Sequence, residues 1–161
     1  MGQQAVYNGG MKKKSKPAGK IANRQARRDY EVGDSFIVGI QLSGAETKSL
    51  RLGHGQLRGA YVTTIGNELW LVNCTISPSV GIPIAEDNQT RSRKLLAKRG
   101  EIDKLVAEKK AGKTIIPLEL ITRGRYIKLK IALAKGKKKW DKRETLKKQQ
   151  QQRDIERATT R

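Results

Sequence analysis

The amino-acid sequence predicts a mainly β protein with two helices, folded as a small barrel and followed by a strongly basic tail. Three observations predict this architecture: short β-rich segments recur along the middle of the chain, two segments have helical apolar spacing, and regular spacing stops near residue 134. A length of 161 residues suits one core with appendages. The predicted domains are a disordered basic extension, a barrel and a tail, over residues 1–20, 21–133 and 134–161.

Six segments have the length and the β-branched or alternating composition of strands. They cover residues 35–42, 61–65, 69–72, 93–97, 114–122 and 125–133. Gly66 and Asn67 suit the positive φ angles of a tight hairpin turn, and the Pro- and Gly-containing residues 77–90 are predicted to form a long loop. Because short strands leave open edges unless the sheet closes, we predict a closed or partly open barrel of the OB type, which commonly binds nucleic acid.

Two helices are predicted between these strands. The first has Ser43 as its N-cap and Glu46 three residues later, which is the pattern of a capping box, and it runs through Leu50. The second covers residues 101–111, where apolar residues recur at helical spacing, and ends before Gly112.

The tail lacks the apolar face that would hold a helix against a core. Residues 144–158 are good helix formers, but their only apolar members are Leu146, Ile155 and Ala158. We therefore expect a tail that is disordered when free and helical when an anionic partner neutralises it.

The net charge indicates a polyanionic partner. The chain carries 35 Lys and Arg against 15 Asp and Glu, a formal charge of +20, which favours nucleic acid or an anionic membrane. No apolar run approaches the roughly 20 residues that span a bilayer, and no signal peptide is recognised. The single Cys74 leaves no intramolecular disulfide. We expect a cytoplasmic protein with a nucleic-acid partner and no membrane contact.

Enzymatic chemistry is not expected. His54 is the only histidine, which excludes triads of the Ser/His/Asp and Cys/His types, and its position between glycines is typical of an exposed loop residue. The nucleotide-loop motifs are missing, and the carboxylates are too scattered for two-metal chemistry. We predict no catalytic residue, no metal and no cofactor.

Two features of the sequence favour contact with nucleic acid, a cluster of basic residues and an aromatic residue among lysines. Arg91, Arg93 and Lys94 cluster where the long loop meets a strand, and they would either contact phosphates or form a solvated edge that prevents aggregation. Trp140 stands among lysines outside any packed segment, where an exposed ring is suited to stacking on a base.

Four segments, in order, resemble the signatures of the SsrA-binding protein (small protein B) family. They are NRQARRDY at 23–30, GIQLSGAETKSLR at 39–51, TRSRKLL at 90–96 and AKGKKKWDKRE at 134–144. The resemblance implies an OB-type barrel that binds the tRNA-like part of transfer-messenger RNA. It also implies a role in trans-translation, the rescue of ribosomes stalled on messages that lack a stop codon, by a protein that is monomeric off the ribosome.

The resemblance also implies site residues. The transfer-messenger RNA face would include Asn23, Arg24, Leu96 and Lys128, beside the basic cluster with Arg91 and Arg93. The tail would become helical in the decoding centre and empty mRNA channel of the small ribosomal subunit. Its ribosome-binding residues would be Lys135, Lys137, Lys138, Trp140, Asp141, Lys142 and Arg143, with the Trp140 ring able to stack on a decoding base.

One departure and two alternatives accompany this prediction. Ile37 occupies a position where relatives usually have glutamate, so one hydrogen bond to RNA is lost because isoleucine cannot accept it. Composition alone also fits a structural or assembly ribosomal protein whose tails bind rRNA permanently, and a nuclease is a more distant alternative.

Overall fold

The structure is a computed structural model that describes residues 19–160, without the side chains of Lys139 and Trp140. Its strands are β1 (Lys20–Ala22), β2 (Tyr30–Ile40), β3 (Gly55–Gln56), β4 (Tyr61–Ile65), β5 (Glu68–Val72), β6 (Thr75–Ile76), β7 (Arg93–Leu96), β8 (Thr114–Ile121) and β9 (Lys128–Gly136). Its helices are α1 (Arg24–Asp29), α2 (Gly44–Arg51), α3 (Glu86–Gln89), α4 (Arg99–Lys110) and α5 (Lys139–Thr159). The expected disorder of residues 1–18 lies outside the described residues.

Six strands form a closed antiparallel ring in the order β2, β9, β8, β4, β5 and β7, with β7 pairing back to β2. The seam between β4 and β8 consists of one residue pair, Val62 and Ile115. β1 adds to β8 outside the ring, and β3 pairs with β6 separately. The six ring strands correspond to the six predicted segments, so the predicted mainly β fold is confirmed.

The longest strands differ from their predicted bounds. β2 begins at Tyr30, five residues early, because a register shift between Val32 and Ser35 accommodates a segment that looks like a turn in sequence. β9 begins at Lys128 and continues to Gly136, which pairs with Tyr30. The first residues of the predicted tail therefore belong to the barrel.

The predicted count of two helices is too low, since the described residues contain five. α2 and α4 are the predicted pair, and Ser43 and Glu46 form the expected capping box. α1 was not predicted because Ala26 is its only buried residue, which leaves no apolar period. α3 is a four-residue helix inside the predicted loop.

The main core lies inside the ring and extends beneath α2 and α4. It is built from aliphatic side chains of every ring strand, among them Val38, Val62, Leu69, Leu71, Leu95, Ile115, Leu129 and Ile131. A second, smaller cluster lies on the outer face of the ring under α1 and contains Ala26, Ile116, Leu118, Ala132 and Ala134. Because α1 covers that face, consecutive residues of β8 are buried and the polar alternation of an exposed sheet is lost.

The tail is helical over 21 residues in this structure, from Lys139 to Thr159. Leu146 and Ile155 remain exposed, so the helix has no core of its own. The predicted transition between a disordered free tail and a helical bound tail stays a prediction. None of the helices within residues 19–160 is both long and apolar enough to cross a bilayer.

Candidate nucleic-acid interface

A row of three residues crosses β7, β2 and β9 on the outside of the barrel. Gly39 of β2 pairs with Leu96 on one side and with Lys128 on the other. The glycine leaves room for the Leu96 side chain, because a Cβ at position 39 would lie only 3.2 Å from the Leu96 Cβ. Leu96 and Lys128 are both exposed, so the structure brings together an apolar and a cationic group from the predicted RNA face.

This row lies in an open cleft of about 820 Å³, which we call the barrel cleft. Its other cationic side chains are Lys94, Lys98 and Arg99. The ammonium of Lys94 lies 2.6 Å from the Glu68 carboxylate, so that charge is already paired. Lys98 and Arg99 were not predicted as site residues, although they follow Leu96, the last residue of β7, by two and three positions.

Ile37 is a half-exposed apolar side chain in the same cleft, two residues before Gly39 on β2 and therefore on the same face. Its side chain and that of Leu96 are each 55% exposed. The structure therefore has two apolar groups beside the cationic ones in this cleft.

Asn23 and Arg24 lie apart from the barrel cleft. Asn23 is buried and forms the N-cap of α1, where its side chain accepts from the Ala26 amide and donates to the Pro117 carbonyl at 3.0 Å. The place of Asn23 at the RNA face stays a prediction, although both polar atoms of its side chain form hydrogen bonds within the fold. Arg24 is exposed and lines a different cleft, which α1 shares with α5.

The predicted phosphate contact of Arg93 finds no support in the geometry of its side chain and stays a prediction. Its side chain has no exposed surface and makes six hydrogen bonds, to Glu46 and to the carbonyls of Cys74, Asn88, Gln89 and Arg91. All its donors are used inside the protein, so none remains for a phosphate. Its role is to fix the end of the loop that contains α3.

Arg91 is half-buried, and its guanidinium is also engaged. It donates to both carboxylate oxygens of Glu46, at 2.9 and 2.7 Å. RNA contact by Arg91 would use the exposed remainder of its side chain.

Glu46 holds this cluster together and was predicted only as a capping residue. Its carboxylate is buried and accepts from the Ser43 amide as well as from the two arginines. Burial alone would raise the pKa of Glu46, but hydrogen bonds from Arg91, a backbone amide and Arg93 outweigh it, so the pKa lies below its ordinary value. The signal in the sequence was its i, i+4 spacing from Leu50, which puts both on the buried face of α2.

The predicted ribosome-binding residues lie where β9 turns into α5. Lys135, Lys137, Lys138 and Asp141 line one cleft of about 420 Å³. The Lys137 ammonium donates to the Arg27 carbonyl and to the Thr145 hydroxyl, so it ties the tail to α1.

The next tail residues make weaker contacts with the barrel domain. The Lys142 ammonium lies 3.9 Å from the Asp29 carboxylate, whereas Arg143 is exposed. The side chain of Trp140 lies outside the described residues, and its predicted stacking stays a prediction.

The two predicted groups of site residues, the RNA face and the tail, therefore occupy three surfaces. Leu96 and Lys128 lie in the barrel cleft, Arg24 lies beside α1, and the tail residues lie at the start of α5. Within residues 19–160 no three His, Cys, Asp or Glu side chains are grouped so that they could hold a metal ion.

The comparisons with known proteins agree on one family. A family model described as SmpB protein matches residues 20–161. The SsrA-binding protein of Trichormus variabilis is 45% identical over 138 residues, which cover 84% of this chain and 89% of that protein. The SsrA-binding protein of Roseiflexus sp. is 42% identical over 138 residues, 84% of this chain and 87% of that protein.

A solved structure described as "tmRNA-SmpB: a journey to the center of the bacterial ribosome" is 34% identical in sequence. It superposes with a TM-score of 0.64, covering 80% of this chain and 95% of that chain. Because the family model spans nearly the whole chain and the relatives share more than 40% of its residues, the chain belongs to the SmpB protein family.

Proposed function

We propose that this chain binds transfer-messenger RNA through its tRNA-like part and delivers it to stalled ribosomes for trans-translation. The observation that carries the proposal is the row of Leu96, Gly39 and Lys128, an exposed apolar and cationic strip held by three paired strands. The names of the relatives and the ribosome complex of the similar structure support the same partners. The barrel is then of the OB type and selects the RNA.

The chemistry of the barrel cleft suits a bent or partly unpaired RNA. Lys98 and Lys128 supply charge for phosphates, and Arg99 can do so by exchanging its exposed ion pair with Asp103. Ile37 and Leu96 supply apolar surface on which a base or ribose can lie. The apolar Ile37 in place of a carboxylate shifts recognition from a hydrogen bond toward contact by shape.

The tail then tests whether the mRNA channel beyond the decoding centre is empty. Intact mRNA would exclude it, both sterically and by competition for the same cationic residues. We further propose that the tail is disordered when free. Ordering it costs roughly 1–2 kcal/mol of backbone entropy per residue, which contacts with the anionic channel wall would offset.

A binding experiment tests the first part of the proposal. Leu96→Ala and Lys128→Ala should each weaken binding of transfer-messenger RNA, because each removes one side of the exposed strip. Lys147→Ala, which changes an exposed tail lysine, is the matched control and should bind like the unchanged chain. Equal affinity of the unchanged chain for transfer-messenger RNA and for an elongator tRNA would contradict the proposal.

A structural or assembly ribosomal protein is the second candidate, and the basic tail favours it equally. The two candidates differ in how they associate with ribosomes. A rescue protein should leave the ribosome in a high-salt gradient and co-purify with one small stable RNA, whereas a structural protein should remain bound in amounts equal to those of ribosomes.

A further inference from the structure

The turn that joins β8 to β9, residues 122–127, is held in place although it projects from the end of the barrel. We call it the β8–β9 turn. Gly124 has a φ of 93°, which a glycine adopts without strain. The Thr122 amide donates to the Gly19 carbonyl at 2.9 Å, so the turn is also fixed at its first residue.

Arg51, the last residue of α2, binds the backbone of this turn. Its guanidinium donates to the carbonyls of Thr122 at 3.2 Å, Gly124 at 2.9 Å and Arg125 at 2.9 Å. Three charge-assisted hydrogen bonds from a planar group define the path of the turn backbone. The side chains at its tip are therefore presented from a rigid support.

Those side chains are cationic and aromatic, and they face solvent. Arg123, Arg125 and Tyr126 are exposed, and 68% of the Tyr126 surface is accessible. The Arg125 guanidinium lies 5.4 Å from the centre of the Tyr126 ring. Among the ion pairs formed by residues 19–160, none uses Arg123 or Arg125.

The turn adjoins the barrel cleft. Lys128, the cationic end of the exposed row, follows Tyr126 by two residues, a distance of about 7 Å along an extended chain. A nucleic-acid strand that crosses the barrel cleft at Lys128 therefore comes within reach of the turn.

We propose that the β8–β9 turn is a second RNA contact, in which Tyr126 stacks on an unpaired base while Arg123 and Arg125 bind the flanking phosphates, and that Arg51 positions the turn for this contact. This inference rests on the proposed function, since it extends the RNA path beyond Lys128. An ordinary folding role does not explain an exposed ring on a fixed turn, because Tyr126 packs in neither of the two clusters. Aromatic rings interleaved with unpaired cations are the surfaces on which unpaired bases stack.

The test compares binding of transfer-messenger RNA by full-length variants over a range of salt concentrations. Tyr126→Ala should weaken binding about tenfold without changing the salt dependence, because a stack is lost but no phosphate contact. Tyr126→Phe should bind like the unchanged chain. Arg125→Ala should lower the slope of log K against log salt by about one.

The matched control is Lys110→Ala, which removes an exposed charge at the end of α4, beyond the opposite end of β8. It should leave affinity and slope nearly unchanged. Arg51→Lys keeps the charge but cannot donate to three carbonyls at once, so it should weaken binding with the slope retained. A melting temperature equal to that of the unchanged chain shows that Tyr126→Ala and Arg125→Ala are folded.

The inference is overturned if the turn variants bind like Lys110→Ala while Lys128→Ala still weakens binding. That result would be consistent with the proposed function but would show that the turn does not contact the RNA, whether it has no binding role or binds a protein partner. Failure of the proposed function would appear separately, as equal affinity for transfer-messenger RNA and an elongator tRNA. In that case the affinities of the turn variants are compared with that of Lys110→Ala on the RNA that the chain does bind.

Discussion

Glu46 compensates the buried charge at one end of α2, because Arg93 is fully buried and Arg91 is half-buried against the same carboxylate. Glu46→Gln should lower the free energy of unfolding by about 3–5 kcal/mol, since it leaves the Arg93 charge buried without a counter-ion. Urea unfolding at neutral pH measures this loss. The control is Glu68→Gln, which breaks an exposed pair with Lys94 and should cost less than about 1 kcal/mol. Equal losses for the two variants would contradict the structural role of Glu46.

The low pKa of Glu46 also predicts a pH dependence. Its pKa in the folded chain lies below the ordinary carboxyl value of 4.5, so the unfolded chain takes up its proton first as the pH falls. The stabilisation by Glu46 is therefore complete above pH 4.5 and is lost as pH falls through the folded-state pKa. The difference in unfolding free energy between the unchanged chain and Glu46→Gln should shrink below pH 4.5. A difference that stays constant down to the acid unfolding of the chain would contradict this.

Cys74 should be unreactive in the folded protein. Its side chain has no exposed surface, and burial raises the pKa of the thiol to about 11. The thiolate that attacks thiol reagents is therefore scarce at pH 8, and the reagent cannot reach it. Labelling with a chromogenic disulfide should proceed only as fast as the protein opens, and denaturant should accelerate it strongly. Native-state labelling at the rate of the unfolded chain would be the contrary result.

At the scale of elements, α2 and β3 meet at a position where only glycine fits. A Cβ at Gly55 would lie 2.5 Å from Leu50 Cδ2 and 2.9 Å from Ile21 Cδ1, and the Leu50 side chain is fully buried. Gly55→Ala should therefore destabilise the fold by about 1–3 kcal/mol through overpacking. Thermal unfolding measures the effect.

The control for that variant is Gly44→Ala at the start of α2, where no heavy atom lies within 4 Å of the added Cβ. It should be neutral or slightly stabilising, because alanine has the higher helix propensity. If Gly44→Ala destabilises as much as Gly55→Ala, close packing at Gly55 is not the cause.

The elements that the sequence predicts well are those with local signals. Ser43 and Glu46 mark the start of α2, and Gly66 and Asn67 have the positive φ angles expected of the hairpin turn. α1 was missed although Asn23 is a local N-cap, because its one buried residue, Ala26, packs on β8 without creating an apolar period. Tertiary contacts of this kind have no period in the sequence.

The candidate site was also only partly predictable, because tertiary contacts decide which of its side chains are exposed. Arg93 and Arg24 look alike in a sequence, since both are arginines in basic segments. The structure buries one against Glu46 and leaves the other exposed, and a distant carboxylate 47 residues away decides between them. Leu96 and Lys128 were predictable only by resemblance, because the strand register that joins them through Gly39 is not a local property.

For the whole molecule, we propose that two parts of one basic chain have different functions, RNA binding by the barrel domain and sensing of the mRNA channel by the tail. The barrel domain carries the barrel cleft and the β8–β9 turn, and the tail leaves it where Lys137 and Lys142 contact α1. Gly136 is still paired with Tyr30, so the division falls after the end of β9. The tail can therefore be removed at residue 139 without cutting a strand.

The most direct test of this division is deletion of residues 139–161. The shortened chain should bind transfer-messenger RNA with nearly unchanged affinity but should no longer support peptide tagging on stalled ribosomes. A full-length control, Gln151→Ala with Gln152→Ala on the exposed part of α5, should retain both activities. Loss of RNA binding with the tail, or tagging that persists without it, would contradict the account.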